Sequence, residues 1–270
     1  YNEIADLAWR APLRVARGDT LTAEPMFERL VTLLAGSNGP TTAEALWGLM
    51  VCQRARDADE FAVTTWSAWT DASAHVGDAP VYRPRGASGD TGADETLFGV
   101  LIATMPPVWP ASAEPSLLAT QEIGTIDSRG ELLLAWYRSS ARLAARLPPE
   151  YPVATSADPA VLLVRDVVLA QSGQSSGARQ ARDRLIDRLD GLRGSWVSAW
   201  IHAAVGRSLI AEPDRASQEL GVVHLLHVPA QWSVVTPDLA RTSLADAAGM
   251  LEQFGDTPGQ EAIEAELRRL

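Results

Sequence analysis

The stretch "WIHAAVGRSLIAEPDRASQELGVVHLLHVPA", residues 200–230, decides how the chain is read. Trp200, Ala203 and Ala204 recur at three- and four-residue spacing, and Ala216, Leu220 and Val223 do the same beyond a Glu-Pro-Asp break. That period belongs to helices, where residues three and four apart share a face. Small alanines let two helices approach, larger side chains fill the groove between them, and Pro229 ends the unit. The expected product is a packed helix pair, with His227 continuing the stripe of Ala216, Leu220 and Val223 and His224 at its edge. Two imidazoles at this spacing also suit a zinc ion. A metal centre needs three or four ligands and partners for the other ring nitrogens. No further histidine or acidic motif stands at ligand spacing, so no metal site is expected.

Working outward, the same period runs through nearly the whole chain and predicts an all-α protein. Helices are expected over 2–17, 22–35, 41–56, 58–74, 93–104, 114–123, 128–147, 159–172, 177–193, 195–210, 214–228, 237–254 and 257–269. Thr41-Thr42-Ala43-Glu44 reads as a capping arrangement, Asp158-Pro159 puts proline at a first helical position, and Gly194 and Gly255 are placed to close helices. Links of two to six residues make consecutive helices antiparallel neighbours. Three segments interrupt: "VGDAPVYRPRGASGDTGADET" at 76–96, "MPPVWPASAEP" at 105–115 and "LPPEYPVATSADP" at 147–159. The first is long for an idle loop, which makes it either mobile or functional. A boundary near residue 126 divides an N-terminal helical region, 1–126, from a C-terminal array of helix pairs, 127–270.

The pair at 195–228 resembles the tetratricopeptide repeat, a two-helix unit of about 34 residues with a bulky aromatic, small residues at the helix crossing and a closing proline. A second copy is carried by Ala247, Met250, Leu251 and Phe254, followed by Ile263, Leu267 and Leu270; an earlier one by Trp47, Met50 and Val51 with Ala62 and Trp66. Trp200 and Ala247 stand 47 residues apart because 229–238 is read as an extra link, and Val223 replaces a small residue. The resemblance implies helix pairs stacked as an α-solenoid whose first helices line a concave binding surface. The last 75 residues also resemble exported repeat proteins of high-GC bacteria, planctomycetes in particular. That likeness favours a periplasmic or exported location, with the cytoplasm as alternative.

The totals narrow the classes. At 270 residues with 46% apolar content the chain can bury a sizeable core. Its apolar runs are far shorter than the roughly 20 residues of a membrane span. The expectation is a soluble domain. Tyr1 is followed by no charged-then-apolar segment, so any export signal is expected to be removed or absent. All 23 basic residues are arginine, which excludes a Walker lysine or a Schiff base. Residues 1–128 hold 8 Arg against 17 Asp and Glu, whereas 129–270 hold 15 against 17. Such an acidic first half repels a phosphate backbone, so nucleic acid is not the expected partner. Cys52 stands alone in an apolar helix and reads as a small buried hydrophobe.

Few residues carry chemistry. Asp57, Asp59 and Glu60 open a helix, where carboxylates meet its N-terminal dipole; "GASGDTG" at 86–92 lacks the lysine and preceding strand of a phosphate loop. The pairs Trp66/Trp69 and Trp196/Trp200 are expected to pack between helices. Trp109, set among prolines, is a candidate contact residue. Arg138, Arg142 and Arg146 repeat every four residues and form a candidate basic row for an acidic partner. The expected function is therefore a non-catalytic scaffold or adaptor that binds a protein or peptide, as accessory subunit of a larger complex, with no catalytic residue and no cofactor. The alternative is an α/α-toroid enzyme acting on polysaccharide through two facing carboxylates.

Overall fold

In the computed structural model, residues 3–37, 39–55, 64–65, 68–69, 72, 126, 129–144, 146–157, 159–192, 197–233 and 236–269 are described. The expected helices at 93–104 and 114–123, the segments 76–96 and 105–115, Asp57, Asp59, Glu60, Gly194, and the tryptophans 66, 109 and 196 lie outside them. The described residues are all-helical, without a strand. Ten α-helices follow in order: α1 Glu3–Ala16, α2 Thr20–Leu33, α3 Pro40–Ala55, α4 Arg129–Ala144, α5 Pro159–Ala170, α6 Ser176–Leu189, α7 Val197–Ile210, α8 Arg215–Trp232, α9 Pro237–Phe254 and α10 Thr257–Leu267.

Helix starts follow side-chain chemistry. Asp19, Ser175, Asp214 and Asp256 each accept a hydrogen bond from the backbone N–H three residues on, which satisfies a donor the first turn leaves free. Pro159 opens α5, as expected. Gly255 takes a left-handed φ of 74° and closes α9. The Thr41–Glu44 cap is corrected: α3 already begins at Pro40, the Ala43 N–H bonds to the Gly39 carbonyl, and Thr42 instead meets the Ser37 hydroxyl at 2.9 Å. Pro229 does not end its helix either. α8 runs on to Trp232, because a proline this near the C-terminus forfeits one helical bond, to Leu225, while Trp232 packs against the core beyond it.

Each helix packs on its chain neighbours: α1 on α2, α2 on α3, then α4 through α10 in succession. Helices one step further apart also touch, α1 with α3, α5 with α7 and α7 with α9. The main buried cluster contains Met50 and Trp69 as well as Trp136, Val164, Leu185 and Trp200, so side chains on both sides of the expected boundary near residue 126 share a core. Trp69 stands tilted on Trp47 at 6.3 Å, and Trp200 is 3% exposed, which puts both in the packing role expected of them. Cys52 is buried beside Ala11 and Phe27; burial first, then the nearby Glu24 charge, push its thiol up to about 11, where it is inert.

Between α7 and α8 the two backbones come close together. A Cβ on Gly206 would lie 2.8 Å from Leu225 Cγ and 3.0 Å from the Gly221 carbonyl oxygen, and one on Gly221 would lie 2.8 Å from the Ile210 nitrogen. Backbone therefore meets backbone, and only glycine fits. The stripe that packs is Gly221, Val222, Leu225 and Val228. This corrects the expected stripe: Leu220 is 50% and Val223 51% exposed, and Ala216 is exposed too. Gly206→Ala is expected to destabilise the protein by about 1–3 kcal/mol through overpacking. Gly249→Ala, whose Cβ meets nothing within 4 Å, is expected to stabilise by up to about 1 kcal/mol as a helix-interior glycine replacement. Urea unfolding of the two variants checks the contrast; equal effects would refute the backbone contact.

Candidate functional site

Because α7 is buried on nearly every side, only His202, Arg207 and Ile210 reach partway to solvent. Contacts between α7 and α8 run in opposite chain order, with Gly206 against Leu225 and Ile210 against Gly221. Going back along α7 from Gly206 therefore means going forward along α8 from Gly221. His202, one turn before Gly206, arrives opposite His224 and His227. Its Nδ1 lies 3.0 Å from His224 Nδ1, and the two ring centroids are 5.0 Å apart. The His227 ring stacks on His202 at 4.8 Å with 21° between planes, and its Nδ1 lies 3.4 Å from Gln231 Nε2. All three side chains are half-buried.

Two nitrogens at 3.0 Å cannot both carry a proton toward each other. One Nδ1 donates an N–H and the other accepts it, which fixes opposite tautomers for His202 and His224. Burial, and then the neighbouring imidazoles, lower the affinity of both rings for a further proton: each falls from the usual 6.5 to about 4. His202 and His224 are therefore neutral at pH 7. Neutral imidazoles in such contact can share a proton or accept a hydrogen bond.

One turn further along α7, Arg207 Nε donates to Asp246 of α9 at 2.6 Å. Burial pushes Arg207 down to about 10, against the pull of Asp246, and raises the Asp246 carboxyl against the pull of Arg207. For each partner desolvation exceeds the return from the pair. Similar arginine ties join the neighbouring helices. Asp166 of α5 is fully buried and receives a two-pronged bond from Arg184 of α6, with Arg165 on the same carboxylate. Arg182 of α6 reaches Glu212, just past α7, at 3.0 Å.

The residues singled out by sequence are placed differently. Arg138 is half-buried on α4, where burial lowers its guanidinium from the usual value. Arg142 is drawn onto the following connector, bonding to the Pro148 carbonyl at 2.8 Å and to Glu150 at 2.9 Å. Arg146 lies beyond the helix end in a left-handed conformation, φ 57°, and is exposed. The expected helix over 128–147 stops at Ala144, so the three arginines do not share one helical row. His202 went unnoticed in the sequence because it lies 22 residues from His224. The signal that reveals it is its place before Gly206, matched by His224 after Gly221, on the two sides of the glycine crossing.

Compared with family models, curated proteins and solved structures, the chain matches none.

His202 and His224 dictate an acid response. Since their folded-state affinity for protons lies below the unfolded value, the unfolded chain binds more protons between pH 6.5 and about 4. Stability is therefore full above 6.5 and falls as pH drops through that window. Asp246, with its raised carboxyl, acts in the opposite sense at the acid end. Urea midpoints are expected to fall from pH 7 to 5, above the range where ordinary carboxylates titrate, and the double variant His202→Gln, His224→Gln should flatten that segment. A wild-type midpoint constant over this range would contradict the neutral buried pair.

Proposed function

We propose that the protein is a non-catalytic helical-repeat scaffold that binds a protein or peptide partner, built from antiparallel helix pairs stacked as a tetratricopeptide-like solenoid. The packing order supports this reading. In such a stack each helix touches its chain neighbours, and every first helix also touches the first helix of the next pair. The contacts of α5 with α7 and α7 with α9 follow that rule. One observation carries the binding role: Leu220 and Val223, three residues apart on α8, are both about half exposed beside exposed Ala216. An apolar stripe of this kind on a helix otherwise well packed suits the anchors of an interface.

In this reading the binding surface lies on the second helix of the pair. The first helix, α7, is enclosed, and Ile186, another exposed large apolar side chain, belongs to α6, also a second helix. The accessory-subunit role remains part of the same proposal, as does an exported location, which is drawn from the sequence likeness.

The stripe can be tested without disturbing the core. Leu220→Glu with Val223→Glu should abolish capture of the partner in a crosslinking pulldown while shifting stability by less than about 0.5 kcal/mol, as surface substitutions do. Ile186→Glu on α6 serves as the second probe of this layer. Undiminished capture by both variants would remove the second-helix surface from consideration, and turnover of a polysaccharide by the wild type would replace the scaffold reading with the toroid one.

A further inference from the structure

Residues 145–158 join α4 to α5, a link of 14 residues where packed helices need about two to eight. Part of the excess is laid back along α4. Going from the C-terminal end of the helix toward its middle, Arg142 Nε donates to the Pro148 carbonyl at 2.8 Å, and Ser139 Oγ donates to the Glu150 carbonyl. The Trp136 ring then meets that of Tyr151, with centroids 5.9 Å apart and 33° between planes. The Arg142 guanidinium also holds the Glu150 carboxylate at 2.9 Å. Six helical steps, from 136 to 142, cover about 9 Å, and three steps of a polyproline II chain, from 148 to 151, cover about the same length. The two runs stay in register because the link is extended. Proline enforces that shape: Pro148, Pro149 and Pro152 fix their own φ and push the residue before each of them out of the helical region.

Three side chains of α4 thus hold an extended chain in the manner of a peptide groove. Two donors take backbone carbonyls, a cation takes an acidic side chain, and an indole takes an aromatic ring. None of these contacts requires that the extended segment be joined to the helix. We propose that Trp136, Ser139 and Arg142 form a binding site for an extended, proline-containing peptide with an acidic residue followed by an aromatic one, and that residues 148–151 occupy the site until such a peptide displaces them. The site is on a different helix from the stripe of α8 and stands whether or not that stripe meets a partner.

The link can leave without stranding a polar group. The Ser139 hydroxyl also reaches the Ala135 carbonyl of its own helix at 2.9 Å and keeps that acceptor when Glu150 withdraws. Arg142, with its side chain 17% exposed, gains water, and the Glu150 side chain is 51% exposed already. Past Tyr151 the link stands out in solvent: Val153 is 95% exposed, with Ala154 and Thr155 exposed beside it. Opening lays bare the side of Trp136 that Tyr151 covers, an aromatic anchor for the incoming peptide.

The test is fluorescence anisotropy of a labelled synthetic peptide, LPPEYPV, with the sequence of residues 147–153, added to the full chain. The double variant Glu150→Arg, Tyr151→Gly releases the link by setting a like charge beside Arg142 and removing the ring contact. It is expected to bind the peptide with a Kd of about 100 μM or lower. In the wild type the tethered link competes at an effective concentration on the order of 1 mM, so binding should be about tenfold weaker. Arg142→Gln added to the released variant should weaken binding at least about tenfold, through loss of a charged hydrogen-bond donor. A peptide carrying the same two changes as the released link should not bind. The proposal falls if the released variant fails to saturate below about 1 mM peptide, binds the altered peptide equally well, or binds no more tightly than the wild type. Should that variant not fold, as far-UV circular dichroism would reveal, a peptide with a photocrosslinking benzoylphenylalanine in place of its tyrosine is applied to the wild type. Crosslinks mapped to 129–144 support the site, and crosslinks elsewhere, or none, refute it.

Discussion

The contact on which the rest depends is the crossing of α7 and α8, where Gly206 and Gly221 leave no side chain between two backbones. Helices that come this close gain dispersion contacts along their whole length, and they allow no adjustment. The crossing fixes how α8 is rotated. Val222 and Leu225 then face the cluster that includes Leu244 and Met250 of α9, and Val228 joins the main core. The same rotation turns Leu220 and Val223 outward and draws His224 and His227 over His202. One steric requirement thus sets both the exposed apolar stripe and the imidazole cluster.

Around this crossing the ionic ties are made by arginine. In a chain without lysine, the buried Asp166 carboxylate meets a planar guanidinium that bonds twice, that of Arg184. The opposed shifts at Arg207 and Asp246 show desolvation outweighing that pair's attraction. Its effect is to set register, because breaking either partner strands the other charge. Apolar packing supplies the stability, and the arginines select which turn of one helix lies beside which turn of the next.

The imidazole cluster and the outward stripe lie on the same helix, and His227 belongs to both, since it follows Ala216, Leu220 and Val223 along one side of α8. A change that rotates His227 therefore acts at the edge of the stripe proposed to meet a partner. The stripe itself is apolar, and the Arg215–Glu219 pair beside it is internally neutralised. This favours a partner that buries area over one attracted from a distance.

Helix identity and extent were legible in the sequence. The expected segment at 237–254 coincides with α9, and most other described helices agree within a few residues, because apolar period and capping residues act locally. The burial of Trp200 and the inert character of Cys52 were legible for the same reason. The rotation of α8 was not. Ala216, Leu220 and Val223 repeat as well as Val222, Leu225 and Val228 do, and periodicity cannot rank two apolar stripes on one helix. Only the demand of Gly221 for a close neighbour chose between them. The histidine cluster was hidden similarly, since His202 joins His224 through the path of the chain in space. Sequence by itself determined which residues coil into helices, a matter of neighbours a few bonds apart. Tertiary structure decided which sides of those helices meet, because that choice depends on the shape of a surface supplied from elsewhere in the chain.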